Sequence, residues 1–319
     1  MTAPVCVTIG DEIARYGFGN DHPFGPHRMG AFWERATRTG LALRLTVREP
    51  VMAERTLIER FHTPVYVEQV LRQSESGTGL LDMGDTPAFK GVYEAAGHVV
   101  GSAVDLTHAI MKGSCRRAFI PIAGLHHARR DTASGFCVFN DCGVVIETLK
   151  EEYGLTRIAY VDIDAHHGDG VFYGFESDPA VIFADMHQDG HTLYPGTGHP
   201  HETGTGSAEG LKLNLPMPPG STDSDFFRHW PMVEAFIRKQ KPEFILLQCG
   251  TDSIAGDPIT QMAWTTAAHA HAAKQLALLA EELGHGRILA TGGGGYNPVN
   301  IAEGWCAVVE SLLDTDTAL

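Results

Sequence analysis

Tyr160-Val161-Asp162-Ile163-Asp164-Ala165-His166-His167-Gly168-Asp169-Gly170-Val171 decides how the rest of the chain is read. Arg157 to Val161 supplies a short β-prone run, and the glycines that follow end the strand and open a turn. Side chains alternate across a strand, so Asp162, Asp164 and His166 leave on one face while Ile163 and Ala165 point into packing. Same-face neighbours on an extended strand stand roughly 6.5–7 Å apart, whereas metal–ligand bonds are about 2 Å. At most two of the three can therefore hold one ion, where the chain begins to curl. Spacing alone leaves the pair open. Taken by itself the stripe is equally what a turn with a few solvated acids looks like, and the clusters elsewhere in the chain decide between the two.

Outward from this stretch, strands and helices alternate. Val5 to Ile9 reads as a first strand and Tyr16 to Arg28, dense in Gly and Pro, as an ordered loop or lid. Met29 to Thr39 reads as a helix, Leu41 to Val47 as a strand, and Thr63 to Arg72 as a helix with Pro64 in its first turn. Gly77 to Pro87 is a polar loop carrying Asp82 and Asp85. Val92, Ala96, Val99, Ala103, Leu106 and Ile110 then recur at helical steps. Arg117 to Ala123 is an apolar strand, and Asn140-Asp141 caps a helix reaching about Tyr153. Beyond the central stretch, strands are expected at Ala180 to Met186, Leu211 to Leu215, Phe244 to Cys249 and Arg287 to Ala290. Helices are expected near Asp223 to Lys239, Thr265 to Glu282 and Val299 to Leu313, with a long loop over Gln188 to Gly210. The pattern implies an α/β fold, one domain over residues 1–319, with a mostly parallel central sheet covered by helices on both faces.

Polar clusters fall at the carboxyl ends of four of these strands: His126-His127, Asp162 to His166, Asp252, and Gly292 to Tyr296. In open α/β sheets that edge is where ligands bind. Asp164, His166 and Asp252 would give an O, N, O ligand set with open positions, the pattern of a catalytic divalent metal. Zinc is the first expectation, and Fe(II), cobalt and manganese suit the same ligand types. Such an ion polarises a carbonyl and lowers the pKa of its water to about 7, which brings amide or ester hydrolysis within reach. His126-His127 would move protons, each ring oriented by a carboxylate, with Asp162 and Asp169 the candidates. Gly292 to Gly295 is backbone without side chains, able to approach a substrate closely and aim Tyr296 at a developing oxyanion.

Composition narrows the partners. With 24 Lys+Arg against 39 Asp+Glu the formal charge is −15, which argues against nucleic acid and favours cationic or neutral substrates, though solubility alone also accounts for it. Six cysteines without a C-x-x-C pair read as reduced, mostly buried thiols. Met1 to Gly10 lacks the pattern of a signal peptide and no apolar run is long enough to span a membrane, so a cytoplasmic protein is expected.

The ordered set His126-His127-Ala128, Ala133-Ser134-Gly135-Phe136-Cys137, Asn140-Asp141, Asp162 to Val171, Tyr194-Pro195-Gly196-Thr197-Gly198, Asp252 to Pro258 and Gly292 to Tyr296 resembles the zinc-dependent histone deacetylase superfamily. Acetoin-utilisation-type deacetylases and acetylpolyamine amidohydrolases belong to the same superfamily. The likeness runs from His22-Pro23 to the last helix. It implies an arginase/deacetylase-like fold and a metal held by Asp164, His166 and Asp252, with Asp162 behind His126 and Asp169 behind His127. It also implies His127 as general base and acid, His126 as its electrostatic partner, and Tyr296 as hydrogen-bond donor to the scissile carbonyl. Gly135, Phe136, Tyr194 and Gly294 would wall a narrow tunnel for an aliphatic amide; many relatives carry Phe where Tyr194 stands, which makes this wall more polar. Asp85 matches a rim aspartate that holds substrate backbone, and Arg28 matches the arginine of an internal acetate cavity. A structural potassium ion would be surrounded by Asp162, Asp164, His166, Asp185 and Met186, although some relatives have serine at 185. The implied substrate is an acetylated lysine side chain or an acetylpolyamine. A non-catalytic acyl-ligand or partner-binding protein keeping the fold is the alternative of another class. The loop histidines His187, His191, His199 and His201 invite a second metal site, with His187 nearest the proposed centre.

Overall fold

Apolar side chains on both faces make each central strand a wall between two cores. In β4 (Ile158–Asp162), Ile158 and Tyr160 pack into one core while Ala159 and Val161 pack into the other. In β7 (Phe244–Gln248) the same alternation sends Phe244 and Leu246 one way and Ile245 and Leu247 the other. A sheet buried on both sides requires helices on both sides.

The computed structural model describes residues 5–19 and 22–315. Residues 1–4, part of the expected amino-terminal stretch, and Asn20-Asp21 of the expected first loop lie outside the described residues, as do residues 316–319. The remaining strands are β1 (Val5–Thr8), β2 (Thr46–Arg48), β3 (Arg117–Ile120), β5 (Val181–Gln188), β6 (Lys212–Met217) and β8 (Ile288–Thr291). All pair in parallel, in the order β2-β1-β3-β8-β7-β4-β5-β6. Helices α4 (Pro64–Ser76), α5 (Val92–Met111) and α6 (Asp141–Tyr153) build the first core, and α2 (His27–Arg38), α8 (Asp223–Gln240), α9 (Thr266–Glu282) and α10 (Pro298–Asp314) the second. Three one- or two-turn helices, α1 (Asp11–Ala14), α3 (Arg55–Ile58) and α7 (Asp169–Gly174), were not expected from the sequence. The four strands whose carboxyl ends carry the polar clusters are contiguous in the sheet, as β3-β8-β7-β4. Clusters scattered over some 170 residues of sequence thereby share one rim.

Two local expectations are corrected. Leu41 to Val47 is not a strand: Leu41–Arg44 form a 3₁₀ turn after a left-handed Gly40, and only Thr46–Arg48 pair, at the sheet edge. The apolar run looked continuous, but Leu41 is buried whereas Leu43 is 92% exposed, so it does not line a sheet face. The loop expected to run to Arg28 ends earlier, because Pro26, with its fixed φ of −69°, starts α2 at His27. All six cysteines are buried and unpaired. Among the described residues no helix is long and apolar enough to cross a membrane.

Candidate active site

The loop after β3 carries His126 and His127, and the start of α6 fixes it. Asp141 accepts the backbone N–H groups of Gly124 and Leu125 at 2.9 and 2.8 Å. Asn140, which caps α6 by accepting from Gly143, also donates to the carbonyls of His126 and Ala128. Each imidazole is then tethered from behind. His126 Nδ1 donates to Asp162 Oδ2 at 2.8 Å, and His127 Nδ1 donates to Asp169 Oδ1 at 2.7 Å. With both Nδ1 atoms committed, the Nε2 atoms face each other at 3.2 Å, leaving room for one proton between them. Burial and the neighbouring His126 push His127 down to about 4, so its ring is neutral near pH 7. Tyr160 donates to the same Asp162 oxygen at 2.5 Å, and Arg129 donates to Asp169 at 3.0 Å.

Strand β4 stops at Asp162, and the chain curls beyond it. The curl brings Asp164 and His166 together with Asp252, which follows β7. His166 Nδ1 lies 3.0 Å from both Asp164 Oδ1 and Asp252 Oδ2. One ligand atom from each of the three buried residues lies within 4.8 Å of the others, the only such group of three among the described residues. Although burial opposes charge on His166, the two carboxylates raise it to about 10. Burial, and then Asp164, raises Asp252 to about 7. A metal ligand must be the neutral imidazole, and with His166 neutral the two buried carboxylates leave negative charge that a divalent cation would balance. The surrounding backbone fits such an ion: a Cβ at Gly294 would lie 2.2 Å from Asp252 Oδ2 and 2.8 Å from Asp164 Oδ2, so only glycine leaves that space open. These three residues could therefore hold a divalent metal.

A cavity of about 170 Å³ leads outward from this centre, lined by Asp85, His127, Gly135, Phe136, His166, Leu193, Tyr194, Ile259 and Tyr296. Gly135 has φ +50°, and a Cβ there would meet the His127 ring at 2.5 Å. Tyr194 packs edge-on against His127, with ring centroids 5.2 Å apart, and its hydroxyl hydrogen-bonds Ser134 across the wall. The Tyr296 ring is edge-on to Phe24 and Phe136, and its backbone N–H donates to Asp257 at 2.8 Å. At the mouth, Asp82 Oδ1 accepts three successive N–H groups, from Gly84, Asp85 and Thr86, which fixes the loop that presents Asp85. Burial, and then Asp82, raises the Asp85 carboxyl to about 6.

Arg28 lies fully buried behind the glycine run, donating to the Gly295 and Gly293 carbonyls at 2.9 and 2.5 Å, with its guanidinium 3.9 Å from the Phe24 ring centroid. Its Nη1 has no partner. An inner space of about 10 Å³, lined by His126, His127, Asp164, His166, Gly294 and Tyr296 among others, continues the centre inward, and Arg28 is not among its lining residues. Asp185 pairs in register with Asp162 one strand away, but its carboxylate already accepts from His187 Nδ1 and Gly168 N. Met186 is buried beside it. Of the loop histidines, His187 is buried and bonds Asp185 and the Gly198 carbonyl. The rings of His191, His199 and His201 stack on the surface without forming a three-ligand group.

Three residues of the site were missed in the sequence. Gln248 donates to Asp164 Oδ2 at 2.8 Å, Asp141 anchors the histidine loop, and Asp257 holds Tyr296. Gln248 ends an apolar strand and Asp141 reads as a first-turn acid, so neither shows a signal of its own. Asp257 stood inside a quoted motif, and its separation from Tyr296 hid the contact.

Residues 22–312 match the Histone deacetylase domain family. A probable deacetylase of Archaeoglobus fulgidus is 32% identical over 295 residues, covering 91% of this chain and 81% of that protein. The acetoin utilization protein AcuC of Bacillus subtilis is 31% identical over 290 residues, covering 88% and 75%. Histone deacetylase 9 of Arabidopsis thaliana is 32% identical over 315 residues, covering 96% and 72%. The crystal structure of the HDA15 HD domain superposes with a TM-score of 0.90 at 26% identity, covering 98% of this chain and 90% of that one.

Proposed function

This chain belongs to the histone deacetylase domain family, and on that premise we propose that it is a zinc-dependent amidohydrolase removing acetyl, or another short acyl group, from the terminal amine of a long alkyl chain, with acetyl-lysine in proteins or peptides as the leading substrate. The observation that carries this reading is the convergence of Asp164, His166 and Asp252 with His127 and Tyr296 on one narrow cavity. A divalent ion bound there would polarise the acyl carbonyl and acidify a water. His127 Nε2, unprotonated because Nδ1 carries the proton donated to Asp169, takes the water's proton and delivers it to the leaving amine nitrogen. The Tyr296 hydroxyl donates to the carbonyl oxygen as negative charge develops on it. His126, locked on Asp162, fixes the position of His127 and the field it feels. Gly135, Phe136 and Tyr194 exclude water from the alkyl chain, and Asp85 accepts substrate backbone N–H groups at the mouth.

In the same reading Arg28 serves an internal acetate cavity, and potassium sits among Asp162, Asp164, His166, Asp185 and Met186. Three neighbouring buried carboxylates support a monovalent cation there; burial, then Asp185 and Asp164, holds Asp162 well above the ordinary carboxylate range. The acidic pair Asp82 and Asp85 at the mouth favours acetylpolyamines as the second substrate class. Metal analysis of the purified protein, with kcat/KM on an acetyl-lysine peptide, acetylspermidine and acetylputrescine, tests both. No turnover on any of them with metal bound would leave a non-catalytic acyl-binding protein.

A further inference from the structure

The chain carries a formal charge of −15, yet at the opposite end of the sheet from His127 three cations surround one depression. Arg157 immediately precedes β4, Arg287 immediately precedes β8, and Lys241 lies just before β7, so the adjacent strands β8-β7-β4 deliver all three to the amino edge. The depression has a volume of about 310 Å³ and is walled by Arg157, Lys241, Glu243, Leu283, His285 and Arg287. That is the lower end of the range for small-molecule sites.

The two guanidinium groups are anchored without being neutralised. Arg157 Nε donates to the Lys241 carbonyl at 2.9 Å and Arg287 Nη1 donates to the Glu243 carbonyl at 3.4 Å, which fixes both guanidinium groups by backbone contacts. The single acid, Glu243, accepts from Thr156 N, Thr156 Oγ1 and Arg157 N through one carboxylate oxygen. Among the described residues, no carboxylate lies within 4.0 Å of the charged nitrogens of Arg157, Lys241 or Arg287. His285 Nδ1 accepts from Arg287 N at 2.9 Å, which puts the ring proton on Nε2. That Nε2–H points to the Pro242 carbonyl, which lines the same depression. Two guanidinium groups and an ammonium around one depression, with no carboxylate paired to them, offer charge-assisted donors to anionic oxygen.

We propose that this depression binds the dianionic phosphoryl group of a small phosphate monoester, remote from the acyl site. Two anchored guanidinium groups and the Lys241 ammonium against one carboxylate match a dianion, and Leu283 gives the organic part an apolar wall. Net acidity does not oppose this, because the field at a pocket is set by the charges lining it, and the overall charge acts over distances that salt screens.

The test titrates the metal-loaded, full-length protein with phenyl phosphate and with inorganic phosphate, by calorimetry and by NMR of His285. Both ligands should saturate and move the His285 signals, with phenyl phosphate binding more tightly; the reverse order would overturn the assignment to a monoester. R157Q and R287Q should each weaken binding about tenfold, as expected for a charge-assisted contact. K241Q, whose ammonium has no partner among the described residues, should do the same with no risk to folding. Deacetylase turnover should stay at the wild-type rate in K241Q, and the metal-site variant H166A should bind phenyl phosphate unchanged. Unshifted His285 signals, equal affinity in K241Q, or loss of binding in H166A would each overturn the proposal.

Discussion

His126 and His127 present their Nε2 atoms to each other at 3.2 Å, each ring held from behind by its own buried carboxylate. The pair is not symmetric. His127 lines both the inner space and the outer tunnel, whereas His126 lines only the inner one. Asp162 accepts from Tyr160 and from the Asp164 backbone in a fully buried setting, while Asp169 pairs with the half-exposed Arg129. His127 is therefore the ring open to the outer tunnel. H127A is expected to lower kcat by roughly 10²–10⁴-fold, the range for loss of a general acid–base group, and H126A by less. Single-turnover rates on an acetyl-lysine peptide, with circular dichroism to verify folding, check this. Equal rates in H127A and wild type would end the proposed proton path.

Tyr296 is positioned through its main chain, since its N–H donates to Asp257 while its ring is clamped between Phe24 and Phe136. Y296F removes one oxygen and leaves both clamps in place. It is expected to reduce kcat about 10²–10³-fold with little change in affinity for a substrate-like inhibitor, as for loss of one oxyanion donor. A parallel loss of inhibitor affinity would mean that the phenol binds the ground state instead.

How far the sequence could be read follows from which contacts are local. The alternation in Ile158–Asp162 and Phe244–Gln248 announces strands buried on both faces, and the curl after Asp162 follows from a distance argument on three residues. Strand order is not local. That β8 inserts between β3 and β7, and that Gln248 and Asp185 flank Asp162, depends on crossovers that carry no signal in sequence spacing. Gln248 was therefore missed although it touches Asp164. At Leu41–Arg44 apolar composition suggested a strand, but the segment lies at the sheet edge, where few neighbours enforce extended pairing.

The like charges at Asp164 and Asp252 make the centre depend on a cation. Removing the metal with a chelator should abolish turnover and lower the thermal midpoint, and adding a divalent ion back should restore both. At a free-ion level a hundredfold above its Kd, binding stabilises the fold by about 2.7 kcal/mol, which sets the size of the shift to be read. G294A places a Cβ 2.2 Å from Asp252 Oδ2 and should weaken ion binding while preserving the sheet. Unchanged metal stoichiometry and affinity in G294A would show that the ion does not sit between these carboxylates.

Asp85 ties pH to substrate class. Its carboxyl is raised to about 6 by burial and by neighbouring Asp82, which is itself held low by three backbone donors and Thr86. A raised carboxyl is ionised above pH 6 and protonated below it, so its full capacity to accept backbone N–H groups is present at neutral pH and lost as the pH falls. If the ionised form holds peptide substrates, KM for an acetyl-lysine peptide should rise about tenfold one unit below that pKa, because only about a tenth of the carboxyl remains charged. An uncharged N-acetylalkylamine, with neither a peptide backbone nor a second amine, passes the same His127 and Tyr296 and supplies the control: its KM should stay flat over the interval. D85N should raise the peptide KM at neutral pH and remove its pH dependence. KM values rising in parallel for both substrates would place the titrating group inside the tunnel and release Asp85 from this role.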